Sequence, residues 1–122
     1  MGIMSSGKNE FSHHFSIAMN EKNQKVETIK QALMPYRPER IYLFGSFVHG
    51  TSDEASDMDL VIIKKTKKSF FDRLRVVGKL LPLELGAVDI LVYTPDEFLK
   101  MAENGNAFAE MILEEGQLIY EA

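Results

Sequence analysis

Two apolar runs in the middle of the chain each contain an acid that packing would not call for. The first is Met58-Asp59-Leu60-Val61-Ile62-Ile63, preceded directly by Asp57, and the second is Ala87-Val88-Asp89-Ile90-Leu91-Val92-Tyr93. Short runs rich in Val, Ile and Leu read as strands, and a nearly continuous run reads as a central strand covered on both faces. Charged residues are almost never buried in such places unless they are paired or bind metal. Three carboxylates spread over two strands therefore suggest divalent-metal and phosphate chemistry.

The flanking segments supply the rest of a small domain. Val26, Ile29, Leu33 and Met34 recur at helical spacing, which predicts an amphipathic helix over about 20–34 that Pro35 and Pro38 close. Ile41-Tyr42-Leu43-Phe44 is a short strand candidate. Gly45-Ser46 breaks it and opens a brief helix with a stop at Gly50, and 51–56 is a polar loop. Phe70, Leu74, Val77 and Leu81 mark a further helix face before Pro82. Thr94-Pro95-Asp96-Glu97 is a helix start, with Thr94 as N-cap, Pro95 at the first position and Glu97 as the capping-box acid. Asn104-Gly105-Asn106 turns the chain into a last helix that buries Phe108, Met111 and Ile112 and ends at Gly116, followed by an edge strand over 117–120. The order of elements predicts an α/β (α+β) domain, with helices packed on a small mixed sheet. Residues 1–20 show no clean period and read as a flexible N-terminal arm, with 21–122 as the domain proper.

Alternate residues of a strand share a face about 6.5–7 Å apart, so Asp57 and Asp59 point the same way. Oxygen ligands so placed suit Mg²⁺, which keeps several waters and completes its shell with substrate phosphates. In two-metal sites the ions lie about 3.5–4 Å apart and stabilise the attacking and leaving oxygens together. Asp89 joins them if its strand lies beside theirs. Gly45 lets a backbone approach a phosphate closely, and a helix opening at Ser46 would aim N–H groups and its positive dipole end at the anion.

Composition narrows the alternatives. A chain of 122 residues with 14 basic and 18 acidic residues, net charge −4, lacks the cationic field of a general nucleic-acid binder. The local exception is Lys64, Lys65, Lys67 and Lys68, which reads first as a solvated turn. Cysteine is absent, which excludes thiolate metal sites and disulfides. No apolar run is long enough to span a bilayer and the first residues lack a secretory pattern, so a cytoplasmic location is expected.

Gly45-Ser46, ten intervening residues, Asp57-x-Asp59 and a downstream Asp89 resemble the nucleotidyltransferase superfamily that includes DNA polymerase β. Within it, the chain is similar to the minimal nucleotidyltransferases (MNT type) over about residues 22–122, including the runs Val92–Phe98 and Glu114–Glu121. The resemblance implies a polymerase-β-like fold. It implies transfer of a nucleoside monophosphate, AMP from ATP, with pyrophosphate leaving. It assigns two Mg²⁺ ions to Asp57 and Asp59, the catalytic ion and help in deprotonating the acceptor hydroxyl to Asp89, and the β- and γ-phosphates to Gly45 and Ser46. It also implies an antitoxin role beside a helical HEPN-type partner, with a tyrosine of that partner as acceptor. Many relatives carry arginines just after the serine; here the residues are Phe47-Val48-His49. A clamp on the triphosphate would then fall to Lys64, Lys65, Arg73 or Arg75.

Two functions compete on these grounds. One is an active Mg²⁺-dependent nucleotidyltransferase. The other is a non-catalytic antitoxin subunit that neutralises a helical partner by contact, through a patch near Phe70, Phe71 or Phe108. Homo-oligomer formation is left open.

Overall fold

In the computed structural model the described residues are 23–44 and 58–122, and they form one sheet with helices on both faces. A first helix, α1, covers 23–33 and gives way to a 3-10 turn, Met34–Tyr36, where Pro35 enters. β1 is Arg40–Phe44 and β2 is Met58–Ile63. α2, Phe70–Leu80, starts at Ser69, whose hydroxyl accepts the Asp72 backbone N–H. β3 is Val88–Tyr93, α3 is Pro95–Glu103, α4 is Ala107–Glu115 and β4 is Gln117–Glu121. The helix expected from Thr94 forms with both capping-box hydrogen bonds in place. Gly105 turns the chain towards α4 at φ 71°, a backbone state that favours glycine.

The sheet order is β3-β2-β1-β4. β2 and β3 are parallel, whereas β1 is antiparallel to both β2 and β4. A parallel pair needs a crossover, and α2 supplies it. The side-chain period of two then sorts the strands into two cores. Met58, Leu60 and Ile62 face Ile29 and Leu33 of α1 and Val77 of α2. Val61 and Ile63 face Phe98 of α3 and Ala109 and Ile112 of α4. β2 is buried at five of its six residues, with Asp59 the half-buried one, as its almost unbroken apolar run predicts. Each fully buried Ile, Leu or Val contributes about 1.5–3 kcal/mol of transfer free energy.

The helix α2 is tied to α3 by an internal ion pair. Arg73, 6% exposed, donates from Nη1 and Nη2 to the two Glu97 carboxylate oxygens at 2.8 and 3.1 Å. Its remaining donors reach the carbonyls of Val92 at 3.1 Å and Lys68 at 2.9 Å. The same Glu97 accepts the Thr94 N–H at 2.9 Å, so one carboxylate neutralises a buried guanidinium and caps a helix. Those bonds from Arg73 hold the Glu97 carboxyl below its usual range and make the guanidinium still harder to deprotonate.

Candidate active site

The acids meet at one end of the sheet. Parallel β2 and β3 pair Asp59 directly with Asp89, and antiparallel β1 brings Phe44 opposite Asp59 from the other side. Phe44, Asp59 and Asp89 thus form one row across three strands, with all three side chains on the face that carries Val61 and Ile63. Adjacent strands lie about 4.8 Å apart, which puts the two carboxylates within reach of a shared cation. Further along that face the helices α3 and α4 close the core. At this end Asp59 is half-buried and Asp89 exposed, so a ligand can reach them from solvent.

Local sequence explains the row. Both acids are the second residue of their strand, and the strands start level: Met58 pairs with Val88 as Asp59 pairs with Asp89. The Met58 N–H donates to the Ala87 carbonyl at 3.3 Å and locks that register. Slipping it by one residue would send Asp89 to the opposite face. The adjacency that Asp89 required is therefore present. Gly45, Ser46 and Asp57 lie outside the described residues. In the chain, Gly45 follows Phe44 and Asp57 precedes Met58, so each is covalently next to a residue at this end of the sheet.

The donor set fits a hard divalent ion. Carboxylate oxygens are the ligands magnesium takes, and two on neighbouring strands leave open positions for water and phosphate. Among the described residues no group of three acids or imidazoles stands ready to hold a metal; a site built on Asp59 and Asp89 would take its further ligands from elsewhere in the chain or from a substrate.

Three of the residues considered for a triphosphate clamp are engaged elsewhere. Lys64 follows the far end of β2, about 16 Å from Asp59 at the rise of a strand. Its Nζ lies 5.0 Å from the Tyr36 ring centroid and donates to the Arg37 carbonyl at 3.4 Å. Arg73 is committed to Glu97 and two backbone carbonyls. Arg75 pairs with Asp72 at 3.3 Å on the exposed side of α2. Sequence adjacency to the acids in the chain gave no hint of this, because a strand carries its two ends apart.

One neighbour of the row had no signal in the sequence pattern beyond its apolar character. Phe108, from the first turn of α4, packs edge-on against Phe44 with ring centroids 5.7 Å apart. That contact braces the end of β1 just before Gly45. The start of α4 is itself fixed, since the Asn106 side-chain carbonyl accepts the Ala109 N–H at 3.0 Å.

Comparison with known proteins identifies the fold and the family. Residues 27–122 match the family described as polymerase beta, nucleotidyltransferase. A protein of Methanocaldococcus jannaschii named as a candidate protein adenylyltransferase is 30% identical over 104 residues, covering 84% of this chain and 100% of that protein. A crystal structure of a candidate nucleotidyltransferase from Sulfolobus solfataricus superposes with a TM-score of 0.58 at 19% identity, over 85% of this chain and 86% of the other. A chain from a crystal structure of a toxin-antitoxin with AMP-PNP gives 0.56 at 21% identity, over 80% and 73%. The fold is thus the polymerase-β-like one, and the chain belongs to the polymerase β nucleotidyltransferase family, as a nucleotidyltransferase of the minimal type.

Proposed function

We propose that this nucleotidyltransferase moves AMP from ATP to a hydroxyl acceptor, a tyrosine of a helical HEPN-type toxin partner, and thereby acts as an antitoxin. The observation that carries the reading is the register of Asp59 with Asp89 on neighbouring parallel strands. The name of the Methanocaldococcus jannaschii relative supports AMP and a protein acceptor. The toxin-antitoxin with AMP-PNP supports an adenine nucleotide and a toxin partner.

In this reading Asp57, Asp59 and Asp89 hold two Mg²⁺ ions, and Gly45 and Ser46 hold the β- and γ-phosphates. When bound, the metal supplies charge neutralisation on the triphosphate and on the leaving pyrophosphate. The acceptor oxygen attacks the α-phosphorus, and the bond from that phosphorus to the bridging oxygen of pyrophosphate breaks. Asp89 draws the proton from the acceptor hydroxyl. Being exposed, it sits where an incoming acceptor can meet it. The remaining work is positioning and electrostatic stabilisation. The reading takes 21–122 as a single catalytic domain behind an arm of residues 1–20. It sets the reaction in the cytoplasm, where nucleoside triphosphates are held. Among the described residues no helix is long and apolar enough to cross a membrane.

The test is incubation of the purified chain with radiolabelled ATP, Mg²⁺ and the protein encoded by the neighbouring reading frame. Label should appear on the partner, and Asp57→Asn or Asp59→Asn should abolish it while leaving the fold intact. Persistent labelling by either variant refutes the assigned roles. A second reading, a contact-only antitoxin subunit, is favoured by the absence of arginines after Ser46 and by the engagement of Lys64 and Arg73 far from the acids. Neutralisation of the partner without label would select it.

A further inference from the structure

The end of the sheet opposite Asp59 and Asp89 carries a concentrated positive charge that the transfer chemistry leaves unused. Lys64, Lys65, Lys67 and Lys68 follow β2 in one short loop, and the Lys64 ammonium bonds to the Arg37 backbone carbonyl. Among the described residues no carboxylate forms an ion pair with Arg37, Lys65, Lys67 or Lys68. In a chain of net charge −4, such a cluster is a local departure from the rest of the molecule.

The turn is also held in place. The Lys64 N–H donates to the Tyr93 carbonyl at 2.9 Å, the Lys68 N–H to the Thr66 hydroxyl at 3.1 Å, and Arg73 Nε to the Lys68 carbonyl at 2.9 Å. A loop fixed from both sides loses little conformational freedom on binding. Beside it, in the first turn of α2, Phe71 is 74% exposed, braced edge-on by Phe70 with centroids 6.0 Å apart. An exposed ring that follows a run of cations by a few residues has the make-up of an interface anchor with a polar border.

We propose that this end of the domain is the docking surface for the protein partner, and that the partner meets it with carboxylates arranged around an apolar recess. Nucleic acid fits less well. A strand-binding site needs a basic track with several stacking rings. Here the cations are confined to a single turn, and acids, Asp72 and Asp96, stand in the adjoining first turns of α2 and α3. A partner seated at this end leaves room for nucleotide at the acid end, and its acceptor tyrosine would reach Asp89 from about 16 Å away along β2. The inference rests on the reading that the chain works with a helical protein partner.

The experiment uses the full chain and the full-length protein encoded beside it, titrated by calorimetry. The triple variant K65E/K67E/K68E should bind on the order of a hundredfold more weakly, and Phe71→Ala about tenfold more weakly. Raising salt from about 0.05 to 0.3 M should weaken the wild type and barely affect the triple variant. Circular dichroism melts at wild-type temperature show that the variants are folded, and K65Q/K67Q/K68Q should fall between the two extremes. Wild-type affinity in the folded triple variant overturns the proposal. So does unchanged partner binding together with loss of a single-stranded RNA, which would make the surface a nucleic-acid site. If the wild-type chain binds no partner at all, the partner reading falls and takes this surface with it; binding that ignores the lysines removes the surface alone.

Discussion

Neutralising Asp89 should stabilise the metal-free protein and at the same time end its activity. Asp59 and Asp89 are register partners on adjacent strands. With strands about 4.8 Å apart, two unit charges near 5 Å repel by about 0.8 kcal/mol at the dielectric of water. Like charges directly opposed in sheets cost about 0.2–1 kcal/mol. Asp89 is exposed, so the water-like value applies rather than the larger one for an interior site. In a domain of this size that corresponds to a rise of about 2–4 °C in Tm for Asp89→Asn in EDTA. Metal reverses the ranking. At about 10 mM Mg²⁺ and a Kd of about 1 mM, binding stabilises the wild type by about 1.4 kcal/mol, roughly 5 °C, and the variant by almost nothing. The assay is a pair of circular dichroism melts, with EDTA and with Mg²⁺, run beside the radiolabel transfer. A variant that melts below wild type in EDTA would refute the repulsion between the two carboxylates, and one that keeps the full magnesium shift would show that they share no ion.

Glu97→Ala leaves the buried Arg73 guanidinium without its counter-charge and removes the carboxylate that accepts the Thr94 N–H at the start of α3. Breaking a buried pair costs about 3–5 kcal/mol, but the Glu97 side chain is 45% exposed, so water relieves part of the loss and about 2 kcal/mol is expected in urea unfolding. Because Arg73 holds the Glu97 pKa down, the pair contributes fully above the ordinary carboxylate value of about 4.3. That contribution fades as pH falls through the lowered folded value, so stability of the wild type should drop towards that of Glu97→Gln below about pH 4. Gly116→Ala would bring a Cβ to 2.6 Å from the Ile112 carbonyl oxygen at the junction of α4 and β4, and should lower the free energy of urea unfolding by about 1–3 kcal/mol. By contrast, a Cβ at Gly78 in α2 meets nothing within 4 Å, so Gly78→Ala should raise stability by about 0.5–1 kcal/mol, and a loss there would contradict the packing described.

Much of this domain can be read along the chain because the relevant forces are local. The apolar run of β2 announces a strand buried on both sides, and Thr94-Pro95-Asp96-Glu97 announces a helix start, since a capping box needs only residues three apart. The Gly-Ser and triple-acid pattern resembles that of the family to which the chain belongs, because such a signature is carried by residue types and spacing that need no structure to be read. Register is another matter. That Asp89 stands against Asp59 rather than one residue away depends on how β2 and β3 align after the α2 crossover, and nothing in either strand's own sequence specifies that offset. The fate of the cations was equally hidden. Lys64 lies five residues from Asp59 in sequence yet at the other end of a strand, and Arg73 spends its donors on Glu97, a partner supplied by a different helix. Pattern along the backbone specifies elements and faces, through interactions a few residues in range. Which side chains then meet, and which are drawn away, is settled by packing between segments distant in the chain, where each buried charge must find its partner.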